Sequence, residues 1–123
     1  MPSLTNEQEQ FQASWLAQMP VAVTVLDPAG RLLFYNDHAP SLLDRRPEYL
    51  GLPVQGHHKQ QASVEKVEAI LAAYRDGQRQ EHAWFFQRQG KTLAVRVAPW
   101  VVEGQLKGLI HTAALLPDAP LPG

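Results

Sequence analysis

The chain holds five histidines and no cysteine. Without a thiol there is no disulfide, no thiolate zinc site, no cysteine-ligated iron–sulfur cluster and no thiol nucleophile. His57 and His58 are adjacent and lie just before a strongly helical segment. Adjacent side chains cannot face the same way, being opposed on a strand and about 100° apart on a helix. At most one of the pair can serve a given site, and His58 is favoured as the nearer to Ser63. The alternative, that both sit in a solvated loop, stays open. His38 falls in a turn, where a polar surface role is expected; His82 opens a strand and His111 lies in the last one. If Ile110 and Thr112 point inward, alternation turns His111 outward to the surface. The spacing of these histidines matches no zinc pattern. There is no G-x-S-x-G, no H-E-x-x-H and no phosphate-cradling glycine loop, and no arrangement of Ser, His and Asp predicts a triad. The expectation is that the chain is not an enzyme.

The elements that must position these groups can be read in order. Thr5 to about Gln18 reads as a helix: Thr5 and Gln8 have the capping-box spacing, Phe11, Trp15 and Met19 form one apolar stripe, and Pro20 ends it. Val21–Asp27 and Leu32–Asn36 are strands joined by the turn Asp27-Pro28-Ala29-Gly30. Asn36–Asp44 reads as a short helical piece and Arg46–Gly51 as a turn-like helix with Pro47 early and Gly51 at its stop. Gly56–Ala62 is polar and reads as irregular. Ser63 then caps a longer helix whose buried face is Val64, Val67, Ile70, Leu71 and Tyr74, ended by Gly77. Glu81–Gln89, Lys91–Trp100 and Leu106–Leu115 are strands, turned at Gln89-Gly90 and Glu103-Gly104. Pro99 argues for an edge or a bulge near the end of its strand. Alternation groups Trp84 with Phe86, and Leu93 with Val95 and Val97, as the inner lining of a sheet, and places Arg96 on the opposite, solvated side. The tail Pro117–Gly123, with three prolines, reads as flexible. The string is an α+β one: a five-stranded antiparallel sheet with helices on one face plus an N-terminal amphipathic helix.

A chain of 123 residues fits one domain, and 45% hydrophobic residues are too many for a disordered one. A net charge of −1 gives no electrostatic reason to expect nucleic acid or an anionic membrane as partner. The longest apolar stretches, Val21–Leu26 (broken by Thr24) and Ala113–Leu116, fall far below the ~18 residues of a membrane span. No basic segment followed by an apolar one opens the chain, so a cytoplasmic protein is the default expectation.

This order of elements resembles the PAS domain family. Val25-Leu26-Asp27-Pro28-Ala29-Gly30-Arg31, then Leu32 and Asn36-Asp37-His38-Ala39, is similar to that family's opening "D-x-x-G-x-I-x-x-x-N-x-x-A". Pro47-Glu48-Tyr49-Leu50-Gly51 is similar to its "P-E-E-L-I-G", and Gly104-Gln105-Leu106-Lys107-Gly108-Leu109-Ile110 to its closing "G-x-x-x-G" hairpin. The resemblance divides the chain into an N-terminal helix over 1–20 (a cap or dimerisation arm), a PAS domain over 21–116 and a tail over 117–123. A closer likeness is to PAS domains with a "C-H-P-P-K-S-x-x-K-V-E-x-I-L" stretch. Here His57-His58 is followed by Ser63-Val64-Glu65-Lys66-Val67-Glu68-Ala69-Ile70-Leu71, then Trp84-Phe85-Phe86, Gly90-Lys91 and Val95-Arg96, while Lys59-Gln60-Gln61-Ala62 replaces "P-P-K". A similar histidine stretch occurs in the haem-binding PAS domain of carbon-monoxide-responsive regulators.

The resemblance implies a sheet curled around an apolar pocket and a sensory role. Haem is the implied cofactor, with His58 (or His57) as axial iron ligand and Trp84, Phe86 and Val95 against the ligand. Non-covalent flavin and no cofactor are the alternatives; the missing thiol rules out flavin–cysteinyl and thioester attachment. Asn36 is expected to bond backbone near Ala39. The implied partners are a second copy of the chain and a signalling protein in trans. A cofactor-free interaction module is the alternative function, motivated by Phe11 and Trp15 on the first helix.

Overall fold

The computed structural model describes residues 5–53 and 61–117, without the side chains of residues 11–13 and 61–64. Thr5 opens helix α1 (Asn6–Gln18): its hydroxyl accepts from the Gln8 amide at 3.1 Å, and Gln8 Oε1 accepts from the Thr5 amide at 2.9 Å. This is the predicted capping box. Strands β1 (Ala22–Leu26) and β2 (Leu32–Tyr35) form a hairpin. Asp27 Oδ1 holds its turn by accepting from the amides of Ala29 (2.9 Å) and Arg31 (2.8 Å).

A short helix α2 (Ala39–Leu42) and a 3-10 turn (Pro47–Tyr49) follow, so the helical piece is shorter than Asn36–Asp44 suggests. The backbone is already extended at Leu43. Helix α3 (Gln61–Arg75) begins ahead of Ser63, which lies inside the helix instead of capping it. Gln61 and Ala62 are good helix formers and extend the helix into the stretch expected to be irregular. Its end is as predicted. Gly77 takes φ +106°, its amide donates to Tyr74 O (3.1 Å), and the Gln78 amide donates to Ala73 O (3.0 Å), a Schellman closure.

Strands β3 (His82–Arg88), β4 (Lys91–Val102) and β5 (Gln105–Leu115) complete the sheet, and β4 runs past the expected Trp100. Gln89-Gly90 and Glu103-Gly104 both place two successive residues at positive φ, the type I′ turn that suits strand twist. The sheet is antiparallel in the order β2-β1-β5-β4-β3. Pro99 lies beyond the last β3–β4 pair, His82↔Val97, so no β3 strand needs its missing N–H, and the β4–β5 register shifts just after it, between Trp100 and Val101.

One face of the sheet carries the core. Ala22, Leu26, Leu32, Leu93, Val95, Val97, Leu109 and Ala113 pack there with Val67, Ile70, Leu71 and Tyr74 of α3 and with Ala39 and Leu43 around α2. Val67, Ile70, Leu71 and Tyr74 of the expected helix face are buried; the Val64 side chain, expected with them, lies outside the described ones. A register shift in the first hairpin pairs Leu26 with Leu32 but Thr24 with Tyr35, leaving Leu33 as an extra residue. This bulge puts Leu32 and Tyr35 on the same face although they are three apart. Among the described residues no helix is long and apolar enough to cross a membrane.

Candidate ligand site on the inner sheet face

Cross-strand register sets the inner face out in rows. Tyr35, Thr24, His111, Val97 and His82 are successive partners across all five strands, from β2 to β3. Four of these five side chains are polar or amphipathic. The rows on either side are apolar: Leu32, Leu26, Leu109 and Pro99 to one side, Ala22, Ala113, Val95 and Trp84 to the other. A stripe of hydrogen-bonding groups thus crosses the middle of an apolar wall, the composition of small-molecule sites. Thr24 is 1% exposed and His111 7%.

Arg45, 6% exposed, reaches this row from the segment after α2. Its Nε donates to Thr24 Oγ1 at 3.1 Å and its Nη1 to the Asp44 carbonyl at 3.2 Å. Burial pulls the guanidinium pKa down to about 10, with the Asp44 carboxylate opposing and Arg88 adding to the fall. It remains a cation at neutral pH. The Asp44 carboxylate itself is engaged elsewhere, with Oδ1 3.3 Å from Arg46 Nε and Oδ2 accepting from the Tyr49 hydroxyl at 3.4 Å.

At the β3 end, the buried Tyr74 of α3 donates its hydroxyl to Gln80 O at 2.6 Å and sets its ring 6.2 Å from that of His82. Burial, then the nearby Glu81 charge, raise its pKa. Lys66 of α3 lies 4.9 Å over the Trp84 ring, holding the helix to the edge of the sheet.

The inner-face grouping of Trp84 and Phe86 with Leu93, Val95 and Val97 is what the register produces: Trp84 pairs with Val95 and Phe86 with Leu93. Val95 is buried, and the two aromatics are half-buried. His57 and His58 lie outside the described residues. Among the described residues, no three of His, Asp and Glu gather as a metal-binding group. The imidazoles on this face are His111 and His82, with Val97 between them in the row.

Two expectations are corrected. His111 faces inward and is buried, while Ile110 and Thr112 are the outward pair. Strand β5 is central and apolar on both faces, so alternation there carries no direction. Asn36 does not bond near Ala39 through its side chain; there its own carbonyl accepts from the Ala39 amide at 3.1 Å. The side chain turns back. Oδ1 accepts from the Val23 amide (2.9 Å), and Nδ2 donates to Val21 O (2.8 Å) and Leu16 O (3.3 Å), tying the end of α1 to β1. Arg96 is on the solvated side as expected, 3.1 Å from Glu81.

Thr24 and Arg45 are absent from the candidate residues drawn from sequence. Thr24 had a signal, the single polar break in Val21–Leu26; Arg45 sits in Asp44-Arg45-Arg46, which has the look of a solvated charge run.

Residues 13–114 match the family model described as PAS domain. Solved structures share the fold. A C-terminal domain from Streptococcus mutans is 24% identical with a TM-score of 0.73, over 94% of this chain and 90% of that one. The PAS domain of Bordetella pertussis BvgS is 21% identical with a TM-score of 0.67, over 92% and 89%. The PAS domain of the RpfR quorum-sensing receptor of Cronobacter turicensis, in complex with BDSF, is 15% identical with a TM-score of 0.58, over 80% and 95%. No curated protein sequence matches the chain.

Proposed function

The chain belongs to the PAS domain family, and from that premise we propose that it is a sensory module holding a small ligand against the inner face of its sheet and signalling through dimer or partner contacts. One observation carries this reading: the row Tyr35–Thr24–His111–Val97–His82, with Arg45 seated on Thr24, is polar and largely buried between two apolar rows. The row sets a few hydrogen-bonding groups into an otherwise apolar wall, the mix of lining that small-molecule sites use. The similar RpfR PAS domain, solved with BDSF, supports a ligand at this fold. Trp84, Phe86 and Val95 are the apolar contacts in this proposal. The intact mass of the purified chain in native spray tests it. An excess over the sequence mass that is released on denaturation is expected, and a bare native mass after exposure to candidate ligands would sink the proposal.

Haem is the finer form of the proposal. His58 or His57 would hold the iron, with the inner-face His111 and His82 as the described imidazoles nearest the wall; the group when bound supplies redox and gas-binding chemistry. Hemin added to the chain should then give a Soret band that shifts in His58→Ala or His57→Ala. A spectrum indifferent to both substitutions would remove these two as ligands, and no band at all would remove haem.

A second reading, a cofactor-free dimerisation module with residues 1–20 as an arm, is favoured by Trp15 of α1 at 48% exposure and Phe85 on the opposite sheet face at 73%. The two readings are compatible, since ligand occupancy can shift the population of a dimer.

A further inference from the structure

The two edges of the sheet differ. Strand β2 is four residues long, and the segment after the 3-10 turn lies against its start: Arg31 bridges Pro53, the Leu32 amide donates to Leu52 O (3.0 Å) and the Gly51 amide to Leu32 O (2.8 Å). At the other edge, β3 runs seven residues in unbroken register with β4, and among the described residues no other strand pairs with it. An open edge is normally guarded by proline, lysine, a bulge or a charge within the strand. The stretch Ala83-Trp84-Phe85-Phe86-Gln87 has none of these. Glu81 and Arg88 stand at its two ends, and Lys66 lies over the Trp84 ring from α3. The hairpin fixes which backbone groups face out. Arg88↔Lys91 closes a two-residue turn, so this pair is hydrogen-bonded and every second pair follows it. His82, Trp84, Phe86 and Arg88 therefore turn N–H and C=O to β4, while Ala83, Phe85 and Gln87 turn theirs outward. The Phe85 side chain is 73% exposed. We propose that β3 pairs antiparallel with β3 of a second copy across a two-fold axis at Phe85, continuing one sheet through both chains. This rests on the dimer reading above. The two-fold sets Phe85 opposite Phe85 and Ala83 opposite Gln87, each pair exchanging its outward backbone bonds, and on the helix side it sets Trp84 opposite Phe86. Both of those aromatics are half-buried in the single chain and have area left to cover. Antiparallel pairing brings the Glu81 end of each strand to the Arg88 end of the other, where parallel pairing would set like charges together. The contact is isologous and uses each β3 edge once, so it closes at two copies.

The experiment is sedimentation equilibrium of the full chain, with two variants beside it. Ala83→Pro removes an outward amide and no bond to β4, a change an edge strand accepts but a second copy does not. The wild-type chain is expected to dimerise and Ala83→Pro to weaken the dimer about tenfold or more, as loss of paired backbone bonds implies. Trp15→Ser, which leaves the edge untouched, should keep the wild-type constant. Register is read separately, in chains without the proline. The protein has no cysteine, so Ala83→Cys and Gln87→Cys chains, mixed and oxidised with diamide, should give a mixed disulfide dimer, since facing Cα atoms of a bonded pair are about 5.5 Å apart. Either variant alone should not, because its two thiols are then offset by roughly 14 Å along the strands. A dimer that keeps wild-type affinity in Ala83→Pro overturns the edge pairing and leaves the dimer reading in place; so does cross-linking as strong in each variant alone as in the mixture. Assembly beyond two copies overturns the closed pair. A chain monomeric at every concentration overturns both, and a strand of another protein is then the occupant left for the edge.

Discussion

At the scale of single residues, the inner face is held in place by polar groups at its margins. Asn36 is 1% exposed and makes three side-chain bonds, to Val23 N, Val21 O and Leu16 O. Asn36→Ala leaves the buried Val23 amide of β1, and the part-buried carbonyls of Val21 and Leu16, without these partners. The expected loss is roughly 2–4 kcal/mol in urea unfolding, together with faster amide exchange at the end of α1, because the Leu16 link is lost and the Asp37 amide bond to Ala17 O (2.9 Å) remains beside it. Exchange unchanged in α1 would mean the link carries no weight. Tyr74 makes a prediction in pH. Its hydroxyl is bonded and buried, and its folded pKa lies above the ordinary 10.0. The stability it contributes is therefore fully present below pH 10 and is lost as pH rises through the folded value. Tyr74→Phe should cost about 1 kcal/mol at pH 8, with the gap to wild type narrowing by pH 11. Arg45, whose pKa is lowered to about 10, acts in the opposite sense as pH rises above that value, but it does so in both proteins and cancels in the difference. A constant gap across the range would show that Tyr74 titrates alike folded and unfolded. These residues also mark where reading the sequence stops. Asn36 was recognisable as a structural asparagine, but which backbone it bonds depends on where α1 ends in space, and no local pattern encodes that. Arg45 is hidden for a related reason: between Asp44 and Arg46, only the path of the chain after α2 decides which of the three charges goes inside.

At the scale of elements, the turns and caps were legible because each is a short-range steric requirement. Thr5 with Gln8, Asp27 with Gly30, Gly77, and the two Xaa-Gly hairpins all appear where their chemistry demands them. Strand direction was less so. Edge strand β3 alternates exposed and half-buried along its length, and Trp84 and Phe86 were placed correctly from it. Central β5 offers Leu109 and Ile110, then Ala113 and Ala114, on opposite faces, and the parity that sends His111 inward cannot be taken from β5 alone. The β1–β2 bulge has the same effect, since strict alternation from Leu32 would turn Tyr35 away from the face it occupies. Where β5 crosses β1, the approach is close enough to exclude any side chain. Gly108 has φ +155°, and a Cβ there would overlap the Leu26 carbonyl oxygen and stand 3.3 Å from Trp100 Cε3. The obstruction is backbone and cannot rotate away. Gly108→Ala should therefore cost roughly 2–4 kcal/mol, measured as a lower urea midpoint with unchanged slope. A loss below 0.5 kcal/mol, within the range of ordinary surface substitutions, would show that β1 and β5 can separate locally without consequence. The site would then need another explanation for how Thr24 and His111 are kept side by side.

At the scale of the whole molecule, the sheet has two faces with different assignments. The inner one is covered by α2 and α3. The outer one is not polar in compensation: Phe85 pairs with Ala94 and Ala94 with Ala114, while Phe34, Val25, Ile110 and Ala98 form a second outward row. Phe85 and Trp15 are the large apolar groups that would seat a second copy in the dimer reading, and net charge decides what kind of association that is. At −1 the chain neither repels nor steers its copies strongly. Self-association through these residues should be driven by apolar burial and be nearly indifferent to salt. Sedimentation of the full chain at 50 and 500 mM salt should give dissociation constants within about a factor of two, since screening acts on charges and not on apolar contact. The Trp15→Ser, Phe85→Ser double variant should weaken association about tenfold or more while lowering the melting temperature at low concentration only slightly, because Phe85 is largely solvated and Trp15 about half exposed in the monomer. A strongly salt-dependent constant would instead assign the contact to exposed ion pairs such as Arg96–Glu81, on the same outward parity. A chain that stays monomeric at every concentration would remove the dimer, and any signal from the inner face would then have to leave through contacts with a different protein.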